Sequence, residues 1–359
     1  MINPSGRTFR TRTESSPRVV NPVYVDWAIT SKCNLDCKHC VGMEGGELTH
    51  DEVMKITREI IGLSPKWVIL EGGEPLMRPD LPQVGRMLKE AGIDIFLITN
   101  GNAFTEEKLK ELAAFSPKIL FSIDGADAKT YEYTKTGASF ETAKEWARRC
   151  AEVGLFQGVT TVLSKVNLGQ IKGLIRLTEE LSGKRLIFLP LKPFGDTVIS
   201  QDYYEQNMLS PQEQEAAVKE IYSCGSRLDI FYDEPFLWNL AARHGFSLDS
   251  SDSGVTIPEV EGCAAAYSLY IQTSGSVRPC MFCDEELNFG NAAREPLAKV
   301  WQRMSESATL TKWADQSQRK GNCRECARFE SCRGCLARVA KLSGDVLQGD
   351  PSCPFAVLT

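Results

Sequence analysis

The sequence predicts an α/β protein, a partial (β/α)6 TIM-like barrel followed by a C-terminal cysteine-rich domain. Two observations predict this fold. Short apolar strands alternate with amphipathic helices between residues 23 and 195, and eight of the thirteen cysteines follow residue 262. Such alternation is typical of parallel βαβ units joined by right-handed crossovers. Six units are too few to close an eight-stranded barrel, so the barrel is expected to be partial.

The elements of the barrel follow from periodicity and capping. The first strand is predicted at 23–30, and Thr49 with Glu52 forms a capping box that begins a helix through Ile61. Residues 192–207 are predicted to be a loop that leaves the sheet, because they mix proline, glycine and polar residues. The further strands are predicted at 67–70, 93–99, 119–123, 158–163 and 186–189, and the further helices at 81–91, 106–115, 140–153 and 168–181.

Four segments are predicted along the chain. They are a flexible basic arm at 1–22, the barrel at 23–200, bridging helices with a linker at 201–258, and the cysteine-rich domain at 259–359. The linker itself is placed at 244–258, where serine, aspartate and glycine follow one another closely. Within the last segment the pattern predicts a hairpin at 267–280 and a helix at 297–304.

Composition limits the partners and the compartment. The net charge of −6 argues against nucleic acid as a main partner, since that would require a basic face. No apolar run approaches the roughly 18 residues that span a bilayer, so no membrane association is expected. The N-terminal arm lacks the apolar core of a secretory signal, and clustered cysteines in odd number point to metal ligation rather than disulfides. We therefore expect a cytosolic protein.

Three cysteines stand close together after the first strand. Cys33, Cys37 and Cys40 are separated by three and then two residues. Three thiolates at this spacing can hold one corner of an iron–sulfur cube and leave its fourth iron open for a substrate or cofactor. The alternative is three buried thiols, since free cysteine packs as a small hydrophobe. The polar neighbours Lys32 and Asp36 make this a poor core segment and favour the cluster.

Polar residues follow the ends of three further strands. Gly72-Gly73-Glu74 follows the second strand, Asn100-Gly101 the third, and the fourth runs into Ser122 and Asp124. Loops at the carboxyl ends of parallel strands build the active site of such sheets, so these residues are expected on the same face as the cysteines. Taken singly, Gly-Gly-Glu-Pro has even odds of being only a turn, and Asn100-Gly101 is interpreted as a turn.

The tail holds enough thiols for two metal centres. Three Cys-x2-Cys pairs in this tail suit either zinc or iron, and eight thiolates would suffice for two zinc sites. The residues alone leave zinc and iron–sulfur both open. The eight tail cysteines are Cys263, Cys280, Cys283, Cys323, Cys326, Cys332, Cys335 and Cys353.

The ordered motifs of the first two-thirds resemble those of the radical S-adenosylmethionine (SAM) superfamily. The resemblance implies that Cys33, Cys37 and Cys40 bind a 4Fe–4S cluster whose open iron chelates SAM. The resemblance also implies that six further residues contact SAM. By the resemblance, Gly72, Gly73 and Glu74 would contact the SAM amino group, Ser122 and Asp124 the ribose, and His39 the adenine.

The tail resembles the SPASM domain of the same superfamily. The resemblance rests on Gly275-x4-Cys280, Gly290-Asn291, the run from Cys323 to Cys335, and Cys353, and it implies two auxiliary 4Fe–4S clusters. Two departures affect the ligand sets: two residues separate Cys332 from Cys335 where many members have three, and Cys283 is not a standard position. By analogy the distal cluster would use Cys323, Cys326, Cys332 and Cys353, and the nearer one Cys263, Cys280 and Cys335 with Cys283 as candidate fourth ligand.

These resemblances imply an oxidoreductase that cleaves SAM reductively and removes hydrogen from a biosynthetic precursor, with flavodoxin or ferredoxin as electron donor. The expected role is oxidative modification of a peptide or protein, as in maturases. Met281 stands where sulfatase maturases have an acid, which argues against that subgroup. Two alternatives stay open. The run from Cys332 to Arg338 looks like that of enzymes trimming tetrapyrrole side chains, and a non-catalytic electron-transfer or scaffold protein would use the same clusters.

Overall fold

A nine-stranded sheet organises the chain, and helices cover its strands. The computed structural model describes residues 21–42, 46–193, 201–246 and 262–356. The predicted arm at 1–22, except for its last two residues, and most of the predicted linker at 244–258 lie outside these ranges. A separate two-stranded ribbon joins the cysteine loop to a later loop.

The strands and helices are numbered along the chain. The strands are β1 (Tyr24–Thr30), β2 (Asp36–Cys37), β3 (Trp67–Gly72), β4 (Asp94–Thr99), β5 (Lys118–Ser122), β6 (Lys135–Thr136), β7 (Phe156–Leu163), β8 (Arg185–Pro190), β9 (Asp229–Tyr232), β10 (Ser268–Ile271) and β11 (Val277–Arg278). The helices are α1 (His50–Leu63), α2 (Leu81–Glu90), α3 (Glu106–Phe115), α4 (Ala128–Thr134), α5 (Phe140–Glu152), α6 (Ile171–Glu180), α7 (Gln201–Asn207), α8 (Pro211–Ser223), α9 (Leu237–Arg243), α10 (Leu297–Ser305), α11 (Ala308–Ala314) and α12 (Leu336–Ser343).

The predicted α/β class and its six parallel strands are confirmed. β1, β3, β4, β5, β7 and β8 are neighbours in that order, and each pair is parallel. Two further parallel strands extend the sheet, β9 beyond β8 and β10 beside β1. β10 comes from the cysteine-rich tail, and β11 pairs with it in the predicted hairpin. The tail therefore continues the sheet of the barrel.

In helix α1, the capping residues and the spacing of apolar residues predicted the helix correctly. Thr49 accepts a hydrogen bond from the Glu52 N–H, and the Glu52 side chain accepts one from the Thr49 N–H, which completes the predicted capping box. Its buried residues, among them Val53, Ile56 and Ile60, recur at helical spacing and pack on the sheet. No helix within the described ranges is long and apolar enough to cross a bilayer.

Two predictions of local structure differ from the structure. The loop predicted at 192–207 contains helix α7 at its end, Gln201–Asn207. The sequence also gave no sign of the ribbon in which Asp36 pairs with Thr136 and Cys37 with Lys135. Each strand of that ribbon has two residues, too few for a hydrophobic period, so only the tertiary approach of the two loops reveals it.

Candidate active site

The cysteine loop opens into a cavity of about 480 Å³ that extends along the sheet, from the first residues of the strands, such as Tyr24 and Trp67, to their carboxyl ends. Cys33, Cys37 and Cys40 all line this cavity. The ribbon fixes the middle of the loop, because the Lys38 N–H donates to the Thr134 carbonyl (2.9 Å) and Cys37 pairs with Lys135. Burial raises the pKa of the Cys37 thiol to about 11. The structure thus brings the three predicted cluster ligands to one site.

The glycine-rich loop packs directly on the start of the cysteine loop. The Gly73 N–H donates to the Thr30 carbonyl, and the Glu74 N–H donates to the Lys32 carbonyl, both at 2.8 Å. A Cβ on Gly73 would lie 2.3 Å from the Lys32 carbonyl oxygen, and one on Gly72 would lie 2.4 Å from that of Thr30. Side chains cannot fit at either position, and both glycines line the cavity.

The side chain of Glu74 is occupied inside the protein. It is fully buried, and its carboxylate accepts hydrogen bonds from the Thr99 hydroxyl (2.8 Å), the Asn100 N–H (2.8 Å) and the Leu76 N–H (3.1 Å). Glu74 is not among the residues that line the cavity. The structure therefore places this carboxylate at the junction of two loops, and its contact with the SAM amino group stays a prediction.

Asp124 is likewise engaged by protein groups. Its carboxylate is 2.8 Å from the Lys135 ammonium and 3.2 Å from His39 Nε2, and it accepts the Val162 N–H at 2.6 Å. Burial alone would raise the pKa of Asp124, but Lys135 and then His39 outweigh it and hold the pKa well below its usual range. Lys135 also donates to the Ser122 hydroxyl (3.0 Å). Of these residues His39, Ser122 and Lys135 line the cavity, and Asp124 supports them from behind.

Sequence reasoning missed Lys135 and undervalued Asn100. Lys135 follows a helix that no motif marks, so nothing in the sequence singled it out. Asn100, interpreted as part of a turn, donates from Nδ2 to Asn34 Oδ1 (2.8 Å) and lies 3.9 Å from Cys33 Sγ. It therefore ties the third strand loop to the cysteine loop. Asn100 directly follows a predicted strand, as the other motifs of the site do, and this position was the signal that could have identified it.

A second missed group holds both ends of the cysteine loop. Glu47 accepts hydrogen bonds from the Thr30 and Ser31 hydroxyls (2.9 and 2.7 Å) and from Arg78 (2.8 Å). Burial by itself would raise the pKa of Glu47, but these hydrogen bonds, first those from Ser31, lower it to about 2. Arg78 in turn pairs with Asp80. One carboxylate thus joins the segments before and after the three cysteines.

The eight tail cysteines fall into two groups of four. In the nearer group, Cys280 Sγ and Cys283 Sγ are 3.5 Å apart. This contact and then burial raise the pKa of Cys283, and the charges of Cys263 and Cys335 add to the effect. Three members of this group line the same cavity as the first three cysteines, namely Cys263, Cys280 and Cys335. The nearer group therefore shares its cavity with the cysteine loop.

The distal group lies away from the cavity. Burial raises the pKa of Cys332, and the charges of Cys353 and Cys323 add to the effect. Burial also raises the pKa of Cys323, and the charge of Cys326 adds to that shift. Gln316 donates from Nε2 to the Cys326 carbonyl (2.9 Å) and braces this loop. No three His, Cys, Asp or Glu side chains in the described ranges surround a single metal-ion position. A cubane takes one thiolate per iron, so its ligands lie further apart than those of one ion.

Asp26 and Glu71 form a carboxyl pair in the cavity that no motif predicted. They lie on the cavity side of β1 and β3. Burial, then the charge of Glu71, raises the pKa of Asp26, and burial raises the pKa of Glu71 to about 7. Because no lysine or arginine of the described ranges forms an ion pair with these two carboxyls, the pair retains protons that ordinary carboxyls would lose.

Comparison with known proteins agrees with this site. The radical SAM superfamily model matches residues 27–178, and the model of the SPASM iron–sulfur cluster-binding domain matches residues 263–335. Both resemblances are confirmed, and the chain belongs to the radical SAM superfamily. It is an enzyme of that superfamily, so the non-catalytic alternative is not supported. The radical SAM domain implies SAM and a 4Fe–4S cluster.

Two curated relatives match nearly the whole chain. An AdoMet-dependent heme synthase of Methanosarcina barkeri is 28% identical, with 93% of this chain and 97% of that protein covered. The mycofactocin maturase MftC of Mycobacterium ulcerans is 25% identical, with 92% and 88% covered. SuiB of Streptococcus suis bound to S-adenosylmethionine has the same fold, with a TM-score of 0.72, 18% identity, and 94% and 78% covered.

Proposed function

We propose that this enzyme binds a 4Fe–4S cluster through Cys33, Cys37 and Cys40, binds SAM beside it, and removes hydrogen from a biosynthetic precursor in the cavity. The observation that carries the proposal is the shared cavity, which the three cysteines line at the strand ends together with Gly72 and Gly73. Three thiolates fit a cube of four irons that keeps one iron open. When bound, cluster and SAM supply a 5′-deoxyadenosyl radical, which takes hydrogen from unactivated carbon.

The chain's own residues position the cofactor and shield it. Gly72 and Gly73 let the backbone approach closely and leave room at the cavity wall. His39 lies within the cysteine loop, directly before Cys40, where its ring is suited to the predicted contact with adenine, and its pairing with Asp124 fixes the ring. Ser122 reaches the cavity as a predicted ribose contact, with its hydroxyl held by Lys135. Glu74 and Asp124 act indirectly in this proposal, since both carboxylates are engaged by protein groups.

The two four-cysteine groups are proposed to hold two auxiliary 4Fe–4S clusters. The division into two sets supports this, with Cys263, Cys280, Cys283 and Cys335 in one and Cys323, Cys326, Cys332 and Cys353 in the other. It also gives Cys283 the place of the fourth ligand in the nearer set, close to Cys280. Because that set reaches the cavity, its cluster would be the one able to accept an electron from the substrate. A flavodoxin or ferredoxin is the proposed donor to the cluster in the cysteine loop.

The proposed substrate is a peptide or protein. The likeness to the mycofactocin maturase supports this class, as does the charge of the cavity. Its lysines and its arginine have acidic partners: Lys118 with Asp94, Lys135 with Asp124, Lys192 with Asp233, and Arg185 with Asp229. A substrate with several carboxylates would therefore have to compete with these acids for the cations.

A tetrapyrrole is the second candidate substrate. The coverage of 93% and 97% with the heme synthase favours it, because the two proteins match over almost their full lengths. Turnover with an iron tetrapyrrole that carries propionate side chains, followed by mass spectrometry, tests it. If the tetrapyrrole loses mass, a tetrapyrrole replaces the peptide as the proposed substrate. If its mass is unchanged, the peptide remains the proposed substrate.

The SAM-cleaving reaction itself is tested on the reconstituted protein. With dithionite under anaerobic conditions the wild type should form 5′-deoxyadenosine. The triple variant Cys33→Ala, Cys37→Ala, Cys40→Ala should form none and should lose about four irons, one cubane. Cys224→Ala is the matched control, because Cys224 is exposed and stands apart from both clusters of cysteines. Absence of 5′-deoxyadenosine from the wild type, or full iron content in the triple variant, contradicts the proposal.

A further inference from the structure

Asp26 and Glu71 are diagonal neighbours on the cavity face of the sheet. In the register of β1 and β3, Asp26 lies opposite Ile69, and Ala28 lies opposite Glu71. Residues two apart in a strand point to the same side, so Asp26 and Glu71 share the face that lines the cavity. Side chains of this length can meet across a diagonal of adjacent strands. Glu71 directly precedes Gly72 in the sequence. After burial and the charge of Glu71, the charge of Cys280 also raises the pKa of Asp26.

Two polar atoms of this acid pair have no hydrogen-bond partner within the described ranges. They are Asp26 Oδ1 and Glu71 Oε1. Glu71 is 9% exposed, and both residues line the cavity. Buried polar atoms in native proteins are nearly always paired, so a set of unpaired ones at a cavity wall points to a ligand.

The acid pair also lacks a compensating charge. Within the part of the chain that the structure describes, neither Asp26 nor Glu71 forms an ion pair with a lysine or an arginine. The lysines and the arginine that line the same cavity pair with other acids. The raised pKa of both carboxyls has the same origin, since burial disfavours their charged forms and no cation offsets it. A bound cation would supply both the charge and the hydrogen-bond donors.

We propose that Asp26 and Glu71 form a substrate subsite that binds a cationic nitrogen group, a primary ammonium or a guanidinium, of the precursor. Such groups carry several N–H donors and a positive charge, which matches two carboxyls with free acceptor oxygens. A carboxylate or phosphate group would add negative charge beside them. The inference rests on the proposed function, because it assigns a substrate class to the same cavity, and it favours a peptide with a lysine, arginine or free amino terminus.

Two probes of equal alkyl length test the subsite, n-butylammonium and butyrate. Calorimetric titration of the reconstituted protein should show butylammonium binding at least about 10-fold more tightly than butyrate. The variants Glu71→Gln and Asp26→Asn/Glu71→Gln keep the side-chain shapes but cannot become negatively charged when the cation binds, so each should weaken butylammonium binding by about 10-fold or more. Circular dichroism checks that both variants fold.

Asp94→Asn is the matched control, because Asp94 also lines the cavity but already pairs with Lys118. It should leave the affinity for butylammonium unchanged. Equal or tighter binding of butyrate, no detectable binding of butylammonium, or unaltered binding in the Glu71→Gln variant each overturns the subsite. Formation of 5′-deoxyadenosine by the same preparation is scored separately, so that failure of the SAM-cleaving proposal is distinguished from failure of the subsite.

Discussion

Lys135 compensates a fully buried carboxylate of the site, that of Asp124. Its side chain is 4% exposed, that of Asp124 is fully buried, and their charged atoms are 2.8 Å apart. Burial alone would lower the pKa of Lys135, but the charge of Asp124 outweighs burial and raises it. The same ammonium group holds the Ser122 hydroxyl. Lys135 thus holds both Ser122 and Asp124, which lie at the end of β5 and directly after it.

Replacing Lys135 by methionine should destabilise the protein strongly. The change removes the ammonium group from the buried Asp124 carboxylate, and breaking a buried pair in this way costs roughly 3–5 kcal/mol. Urea denaturation measures the loss as a fall in the free energy of unfolding. The double variant Asp124→Asn/Lys135→Met should recover much of it, because no uncompensated charge remains.

Lys118→Met provides the comparison at an exposed pair. Lys118 and Asp94 are also 2.8 Å apart, but their side chains are 36% and 63% exposed. Solvent screens such a pair, so its loss should cost less than about 1 kcal/mol. If Lys135→Met costs no more than Lys118→Met, the compensating role of Lys135 is wrong.

At the scale of elements, contact between two loops fixes the site. The glycine-rich loop after β3 donates hydrogen bonds to Thr30 and Lys32, at the end of β1 and the start of the cysteine loop. Glu74 then fastens the same loop to the end of β4 through Thr99 and Asn100. The three loops therefore form one packed unit, and a change in any of them is expected to move the cysteines.

Gly73→Ala should disrupt this unit. Gly73 does not have a positive φ, so the effect is steric, with the new Cβ 2.3 Å from the backbone oxygen of Lys32. We expect loss of SAM binding, measured by calorimetry, and a lower iron content after reconstitution.

Gly62→Ala is the control for that substitution. A Cβ on Gly62 meets no atom within 4 Å, and the residue lies within helix α1. Alanine is favoured over glycine in a helix by about 0.5–1 kcal/mol, so this variant should be at least as stable as the wild type and bind SAM equally well. Normal SAM binding by Gly73→Ala would show that the loops can separate without consequence.

At the scale of the whole molecule, a buried ionic network joins the sheet to the cysteine-rich tail. Arg338 on α12 pairs with Glu234, which follows β9, at 2.7 Å and with Asp350 at 2.7 Å. Asp350 also accepts the Cys335 N–H at 2.8 Å. All three charged side chains are at most 2% exposed. The position of the nearer cysteine group therefore depends on the same contacts that hold the tail to the sheet.

Arg338→Met should weaken this connection. The change leaves two buried carboxylates without their cation, and we expect a loss of at least about 3 kcal/mol in the free energy of unfolding. Reconstituted protein should also bind less iron, because Asp350 no longer holds Cys335 in place. Arg303→Met, at a pair whose arginine is 51% exposed, should cost less than about 1 kcal/mol. Similar losses in the two variants would contradict the role given to Arg338.

The sequence alone predicted the six parallel strands, the capping box at Thr49 and the face on which the motifs lie. These depend on short-range periodicity, hydrogen bonds within one helical turn, and the rule that parallel strands end at one edge. It did not predict helix α7 or the two-residue ribbon, because their patterns are too short to stand out. The addition of β10 to the edge of β1 also required the folded chain.

By itself the sequence determined the class of chemistry, because cysteine spacing and the order of motifs are local properties. Only the tertiary structure decided which polar groups face the cavity. It directed Glu74 and Asp124 into protein hydrogen bonds and brought Lys135 beside Asp124. It also left Asp26 and Glu71 without a cation in the described ranges. Burial and charge compensation depend on what packs around a residue from distant parts of the chain, and spacing along the sequence does not report them.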